Sequence, residues 1–218
     1  MIALQNLTKT FRLNGTSKTV LQDATMTFPS GQSVALLGRN GAGKSTLLRL
    51  IAGTLDPTAG RVRLTGSVSW PVGFAGSFHG DLSGAQNTRF IARIYGVDGD
   101  ELVDFAANFA DLGVHFKLPF RTYSSGMKAR LAFGVSMGIA FDTYLVDEVT
   151  AVGDAAFRSK SNDLFQARMQ KAGSVVVSHS MGLVRELCTA AAVLDAGKLL
   201  YFADVGAAIE HHERNMLG

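Results

Sequence analysis

One segment of the sequence has the residue types and spacing that phosphate binding requires. Residues 38–46 read GRNGAGKST and fit the pattern G-x-x-x-x-G-K-[ST]; they are Gly38, Arg39, Asn40, Gly41, Ala42, Gly43, Lys44, Ser45 and Thr46. Glycine permits positive φ and close approach of the backbone, so successive N–H groups can face a phosphate oxygen. Lys44 adds a full positive charge between the β- and γ-phosphates, and the Ser45 hydroxyl can bind Mg²⁺. The segment predicts an ATP site with Mg²⁺ as a second cofactor.

A pair of carboxylates follows a separate apolar run. Residues 143–148 read TYLVDE, where Asp147 can hold Mg²⁺ and Glu148 can polarise the attacking water. By itself such a pair is more typical of a solvated turn or a helix cap. Together with the phosphate loop, it is interpreted as the loop's metal and catalytic partner.

Three further features give weaker signals when taken singly. Ser124, Ser125 and Gly126 precede a helical pattern, which alone indicates only a serine N-cap on a buried helix. His179 ends the apolar run VVVSHS, where a lone histidine is usually a structural hydrogen-bonding residue. Phe11, taken by itself, is typical of core packing, because Phe is common inside folded proteins.

The elements that must position these residues alternate between strand and helix. Strand patterns cover residues 2–7, 20–28, 33–37, 144–146 and 174–178, with a strand pair expected over 61–68. Helical spacing dominates from about Gly84 to Ala140, including Phe90, Ile91, Ile94 and Tyr95. This order predicts one α/β domain over residues 1–218, with a core of about 1–83 and 141–218 and an inserted helical subdomain of about 84–140.

The order and spacing of these segments resemble the ATP-binding cassette family over essentially the whole chain. GRNGAGKST matches the family's Walker A motif, YLVDE its Walker B motif with the catalytic glutamate, and SSGM its signature. His179 matches the switch histidine, EVTAVGD places Asp154 at the aspartate of the D-loop, and Phe11 falls where the family stacks an aromatic ring on adenine. The resemblance implies a P-loop NTPase (RecA-like) core with an N-terminal antiparallel β subdomain and an inserted α-helical subdomain.

The same resemblance implies a role for each of these residues. Glu148 and His179 would be catalytic, and Ser45 and Asp147 would hold Mg²⁺. The working unit would be a head-to-tail homodimer, in which the nucleotide bound to one subunit's loop is also contacted in trans by Ser124, Ser125, Gly126 and Asp154.

Two departures from the family pattern point to a subgroup of the family. Residues 123–127 read YSSGM where the family usually has LSGGQ, and the glutamine that the family places before the helical insert is absent at the usual spacing, where Phe74 stands instead. WPVGF, LSGAQNTRFIARIYG, YSSGMKARLAFGVSM and VDEVTAVGDAAF together resemble the ATPase subunits of capsular polysaccharide exporters. O-antigen ATPases often carry a further C-terminal domain, so the short segment after His179 favours the capsule branch.

An exporter of this kind implies a polytopic membrane permease as partner and a peripheral position on the cytoplasmic face of the inner membrane. The expected permease contact lies near Phe74, Phe78, His79 and Leu82 and along Arg89–Tyr95. The alternatives are a cassette exporting O-antigen, teichoic acid or another glycan, and a non-transport cassette of DNA maintenance or translation. A small-molecule kinase could share the phosphate loop, but it would not explain SSGM, His179 and Asp154 in this order.

Composition argues against several other classes. The net charge is +3 and the 21 Lys and Arg residues are scattered, so no nucleic-acid partner is expected. Cys188 is the only cysteine, which excludes an internal disulfide and a cysteine-based metal site. The first residues lack the pattern of a secretory signal, and the apolar run 131–141 is too short to cross a bilayer.

Overall fold

The fold has two units, and the first of them contains an antiparallel sheet, a mostly parallel sheet and the helices that pack on them. The computed structural model describes residues 1–13, 15–148 and 154–217. Within these, the first unit comprises residues 1–71, 141–148 and the described residues from Met169 onward. The second unit comprises residues 72–140 and 154–168.

The antiparallel sheet has the strand order β2-β1-β4, with β1 at Ile2–Leu13, β2 at Thr16–Phe28 and β4 at Ala59–Leu64. The long hairpin of β1 and β2 is in a register that places Phe11 opposite Lys18. Residues that share one face of a strand recur every second position, so Thr16 and Lys18 lie on one face of β2 up to the register shift at Val20. This register brings β2 side chains to the same region as Phe11.

The second sheet of this unit has six strands in the order β5-β6-β7-β3-β8-β9. The strands are β3 (Ser33–Leu37), β5 (Val68–Pro71), β6 (Thr143–Asp147), β7 (Gly173–Val177), β8 (Ala190–Asp195) and β9 (Lys198–Phe202). All neighbouring pairs are parallel except β8 and β9. Strands buried on both faces require continuous apolar runs, which explains SVALL in β3 and GSVVV in β7. The carboxyl ends of β6, β7 and β3 therefore meet at one edge, where α/β sheets usually bind ligands.

Three helices belong to this unit: α1 (Lys44–Ile51), α6 (Met181–Leu187) and α7 (Val205–Leu217). Leu47, Leu48, Leu50 and Ile51 of α1 are buried in one hydrophobic core with side chains of β1, β2, β3 and β7. Cys188, directly after α6, is 3% exposed, and burial raises the pKa of its thiol to about 12. The core thus fixes the first turn of α1 at the end of β3.

The second unit is helical. Its helices are α2 (Gly84–Tyr95), α3 (Gly99–Ala110), α4 (Ser125–Gly138) and α5 (Ala155–Met169), and 3₁₀ turns cover Ala75–Ser77, Gly113–Lys117 and Phe120–Thr122. A capping box of Ser83 and Gln86 starts α2, because each side chain satisfies a backbone N–H that the helix cannot. Gly138 lets α3 and α4 pack closely, since a Cβ there would lie 2.5 Å from Cδ1 of Leu102.

The structure confirms the predicted fold class but contradicts the expectation for residues 61–68. The expected strand pair over 61–68 does not form, because β4 joins the antiparallel sheet whereas β5 pairs with β6 in the other sheet. Within α2 the buried face carries Asn87, Thr88 and Ile91, while Phe90 and Ile94 are 52% and 60% exposed. Apolar residues at helical spacing therefore occupy both faces of this helix.

Candidate functional site

The backbone between β3 and α1 adopts the conformation that the glycine pattern predicts. Gly38, Gly41 and Gly43 have φ values of 154°, 75° and 111°, a region that residues with a Cβ rarely enter. A Cβ on Gly38 would also lie 2.5 Å from the carbonyl oxygen of Leu194. Gly43 is the N-cap of α1, so the unpaired N–H groups of the helix start face the loop. Backbone amides arranged in this way can bind an anion.

The ammonium of Lys44 is hydrogen-bonded to the backbone of this loop. Its Nζ donates to the carbonyl oxygens of Gly38 at 2.7 Å and Arg39 at 3.1 Å. Burial lowers the pKa of Lys44, and the nearby carboxylates of Glu148 and Asp147 act in the opposite direction. A cation held by two loop carbonyls can move to phosphate oxygens without entering a less polar environment.

Glu148 and His179 lie next to each other at the carboxyl ends of β6 and β7. Asp147 pairs with Val177 in the parallel register, and the N–H of Glu148 donates to the Val177 carbonyl at 2.9 Å. The Nε2 of His179 lies 2.9 Å from Oε1 of Glu148, with both side chains about half exposed. Glu148 has a φ of 46°, which is uncommon for a residue with a side chain. Such backbone strain is common at functional sites.

These residues share one open cleft of about 980 Å³ in the first unit. It is lined by Phe11, Thr16, Lys18, Val20, Asn40, Gly41, Gly43, Lys44, Ser45, Thr46, Glu148 and His179. Its volume is at the upper end of the range for small-molecule sites, and cations, amides and a carboxylate converge in it. Of the predicted residues in this unit, Gly38, Arg39, Ala42 and Asp147 belong to the loop or strand end without lining the cleft itself.

Sequence reasoning missed the three β2 residues in this cleft, Thr16, Lys18 and Val20. They approach Phe11 only through cross-strand pairing, so no local motif marks them. Gly15 is the sequence feature that could have predicted them, because a tight hairpin turn there places Phe11 opposite Lys18.

The predicted signature residues belong to the second unit. Ser124 is the N-cap of α4, and its Oγ accepts the N–H of Met127 at 3.2 Å. Ser124, Ser125 and Gly126 are exposed, and the nearest atom to a Cβ built on Gly126 is 4.0 Å away, on Ser124. The first turn of α4 is therefore accessible to an approaching anion.

Tyr123 stands where the predicted signature usually has leucine, and its hydroxyl anchors it. That hydroxyl accepts the backbone N–H of Gly84 at 3.2 Å, and its ring packs on Phe120 with centroids 5.3 Å apart. The side chain is 4% exposed, and desolvation raises the pKa of the phenol. A Cβ at Gly84 would lie 2.6 Å from this hydroxyl. Tyr123 and Gly84 thus fit each other as a pair.

The carboxylate of Asp154 has partners within the same unit. Its Oδ1 accepts the N–H of Phe157 at 2.9 Å, and its Oδ2 lies 2.7 Å from Nη2 of Arg130. These contacts, led by the Phe157 hydrogen bond, lower the pKa of Asp154. The preceding residues 149–153 of the predicted D-loop lie outside the described residues.

The surface predicted to receive a membrane partner is partly apolar and partly buried. Phe74 is 49% exposed, whereas Phe78 is 9% exposed and stacks on Phe120 with centroids 5.0 Å apart. The amide of the buried Asn87 donates to the carbonyls of His79, Leu82 and Ser83, which fixes the loop before α2. Phe78 therefore supports this surface from beneath and does not form part of it.

Within the described ranges, no three His, Cys, Asp or Glu side chains converge as a metal site, and no helix is long and apolar enough to span a membrane. A Mg²⁺ ion usually keeps several waters and takes one or two protein ligands together with substrate phosphates. One hydroxyl, Ser45, and one carboxylate, Asp147, fit that requirement.

Comparison with known sequences identifies relatives along nearly the whole chain. Residues 21–151 match the ABC transporter family. The polysialic acid transport ATP-binding protein KpsT of Escherichia coli is 44% identical over 98% of this chain and 96% of its own length. The capsule polysaccharide export ATP-binding protein CtrD of Neisseria meningitidis serogroup B is 44% identical over 97% of this chain and 98% of its own. The O-antigen export system ATP-binding protein RfbB of Klebsiella pneumoniae is 37% identical over 81% of this chain and 73% of its own.

Solved structures share the fold. The dimeric post-hydrolysis state of the ATP-binding cassette MJ0796, bound to ADP and Pi, has a TM-score of 0.74 and 20% identity, covering 91% of this chain and 96% of that one. At this identity the likeness concerns the arrangement of strands and helices alone.

Proposed function

The chain belongs to the ABC transporter family, and we propose that it is the ATP-hydrolysing subunit of an exporter of capsular polysaccharide. The observation that carries this proposal is the convergence of Lys44, Glu148 and His179 on one cleft beside the phosphate loop. The names of KpsT and CtrD, both 44% identical over almost their full lengths, support the class of substrate.

In the proposed site, the triphosphate of ATP lies along the amides of residues 38–46. Lys44 exchanges the carbonyls of Gly38 and Arg39 for β- and γ-phosphate oxygens, which are stronger partners because they carry charge. The N-terminus of α1 adds the favourable end of its dipole. Phe11, which is 42% exposed and lines the same cleft, offers its ring to the adenine.

Ser45 and Asp147 are the proposed Mg²⁺ ligands. The ion would neutralise charge on the β- and γ-phosphates when bound. Ser45 lines the cleft, and Asp147 is close enough to Lys44 to act on its pKa. The nearness of Asp147 to Lys44 and the place of Ser45 in the cleft support this assignment.

Glu148 and His179 are the proposed catalytic pair. Glu148 orients water and takes its proton as the oxygen bonds to the γ-phosphorus, and the bond to the β–γ bridging oxygen breaks to release ADP and phosphate. His179 donates a hydrogen bond to the γ-phosphate and so stabilises its developing charge. The 2.9 Å contact between Nε2 of His179 and Oε1 of Glu148 supports this pairing, because it places the two groups side by side at the cleft.

The γ-phosphate is completed, in this proposal, by a second copy of the chain. Ser124, Ser125 and Gly126 at the accessible start of α4 offer amides and hydroxyls to it in trans. Asp154 contributes to the same interface. ATP would then bind the closed dimer better than the open one, and hydrolysis would remove that preference.

A polytopic permease is the proposed membrane partner, with the chain held peripherally on the cytoplasmic face of the inner membrane. Phe74, Phe90 and Ile94 are large apolar side chains exposed to solvent in the second unit, as expected of a docking surface. The glutamine usual at the start of this region is replaced by Phe74.

The alternative is export of O-antigen, teichoic acid or another glycan, which would use the same chemistry. The lower identity to RfbB favours the capsule. The deciding experiment deletes the gene in its host and measures surface polysaccharide by composition, with complementation by the wild-type and Lys44→Ala chains. Loss of capsule restored only by the wild type supports the proposal; loss of another glycan contradicts it.

A further inference from the structure

We propose that Lys9 is a positioning residue that holds the ring of Phe11 as a stacking platform for adenine. This inference rests on the proposed ATP site. It adds a residue outside the cleft whose effect should be specific to the base of the nucleotide.

The contact between the two side chains follows from their places on β1. Lys9 and Phe11 are two residues apart, so both project from the same face of the strand. The Nζ of Lys9 lies 5.2 Å from the centroid of the Phe11 ring, within the range of a cation–π interaction. Because Phe11 is 42% exposed, core packing covers only part of its ring, and the ammonium of Lys9 is a further contact that can hold its orientation.

Lys9 is itself fixed by the segment that follows α1. Its ammonium donates to the carbonyl oxygen of Asp56 at 2.6 Å. That segment is bonded to the strand at two further points, where the N–H of Thr58 donates to the Thr8 carbonyl at 2.8 Å and the N–H of Thr10 donates to Oγ1 of Thr58 at 3.0 Å. The ammonium over Phe11 is therefore held by a hydrogen bond to a segment that is itself hydrogen-bonded to β1, so this side chain does not rotate freely.

Lys9 covers one face of the Phe11 ring and leaves the other face for a ligand. Phe11 lines the cleft, whereas Lys9 does not. An ammonium on one face draws π-electron density from the ring, which favours stacking of an electron-rich purine on the opposite face. A ring already held in place also loses less conformational freedom when the base binds.

A general electrostatic attraction for the triphosphate is the competing explanation, and a second lysine provides the matched control. Lys18 lies opposite Phe11 across the hairpin and lines the cleft. Removing its charge should weaken any polyanion. Removing the charge of Lys9 should weaken only ligands that carry a base.

The test titrates the wild-type chain, Lys9→Gln and Lys18→Gln with Mg-ATP and with inorganic tripolyphosphate by calorimetry. We expect Lys9→Gln to bind ATP roughly two- to fivefold more weakly, the range of an exposed cation–π contact, with unchanged affinity for tripolyphosphate. Lys18→Gln should weaken both ligands alike. Lys9→Arg keeps the charge and should retain the affinity for ATP.

A double-mutant cycle with Phe11→Leu separates positioning from other effects, because the loss caused by Lys9→Gln should disappear in that background. Equal losses for ATP and tripolyphosphate, or unchanged ATP affinity in Lys9→Gln, would overturn the role of Lys9. Failure of the wild-type chain to bind ATP would instead overturn the proposed function, so the two failures are distinguishable.

Discussion

The Nε2 of His179 lies 2.9 Å from Oε1 of Glu148, so the two candidate catalytic side chains contact each other directly. The contact links the ends of β6 and β7, which are neighbours in the parallel sheet. In the proposed mechanism, a γ-phosphate in the cleft takes His179 as a hydrogen-bonding partner, and the carboxylate of Glu148 is then free to bind the attacking water. His179 would thereby connect nucleotide binding to activation of the nucleophile.

Replacing Glu148 by glutamine should separate ATP binding from hydrolysis. The amide keeps the shape of the side chain but cannot take a proton, so turnover should fall by about 10²- to 10⁴-fold. Affinity for ATP should persist and an ATP-bound dimer should accumulate, as measured by sedimentation velocity. The exposed Glu101 of α3 provides the control substitution Glu101→Gln. A Glu148→Gln chain with wild-type turnover would remove Glu148 from the catalytic role.

Lys44→Ala should eliminate most of the affinity for ATP while the fold persists. Two charge-assisted hydrogen bonds to phosphate are lost, at about 1.5 kcal/mol each or more, which corresponds to roughly 100-fold weaker binding. Calorimetric titration with Mg-ATP measures this, with Lys198→Ala on the exposed part of β9 as the control. Unchanged affinity in Lys44→Ala would refute the assignment of the phosphate loop.

Tyr123→Phe should lower the free energy of unfolding by about 1 kcal/mol, because the buried N–H of Gly84 loses its acceptor. Urea unfolding followed by circular dichroism gives the value. The matched change Tyr201→Phe removes a hydroxyl from a side chain that is 41% exposed and should have little effect. Equal stability of the Tyr123→Phe and wild-type chains would show that the Gly84 contact contributes nothing.

Asp154→Asn should make a pH-dependent difference to stability. Since contacts with Phe157 and Arg130 depress the pKa of Asp154 in the folded chain, its ionised form stabilises the fold at pH above the unfolded value of about 3.9. This contribution is lost as the pH falls through the lower folded pKa. The gap in unfolding free energy between the wild type and Asp154→Asn should therefore shrink between neutral pH and pH 3.

The exposed Asp163 of α5, the helix that begins directly after Asp154, serves as the comparison for that experiment. An Asp163→Asn chain corrects for the general loss of carboxylate charge in acid. A gap for Asp154→Asn that is the same at both pH values would contradict the proposed stabilisation by its partners.

Local chemistry explains which parts of the fold and site were predictable from sequence. The residues of the phosphate loop were predictable because their glycines specify the backbone conformation, and φ values of 75° at Gly41 and 111° at Gly43 agree with that expectation. The strand before Glu148 was predictable because a doubly buried strand needs a continuous apolar run.

Features that depend on distant parts of the chain were not predictable. Thr16 and Lys18 reach the cleft through hairpin register, and Tyr123 meets Gly84 from 39 positions away. The expectation of a strand pair over 61–68 was wrong, because β4 and β5 belong to different sheets. The alternation of apolar and polar residues predicts a strand but does not say which strand it pairs with. Helical spacing at Phe90 and Ile94 indicated a helix correctly, but it does not say whether an apolar face is covered by the chain itself.

The burial of Cys188 makes the chain a convenient starting point for site-directed chemistry. Burial raises the pKa of the thiol to about 12, so little of it is the reactive thiolate at pH 7, and the side chain is 3% exposed. Maleimides and disulfide cross-linkers should therefore leave the native chain unmodified. A cysteine introduced at Ser125 would be the sole labelling site, so that spectroscopic probes could report directly on whether two copies approach each other when ATP is added.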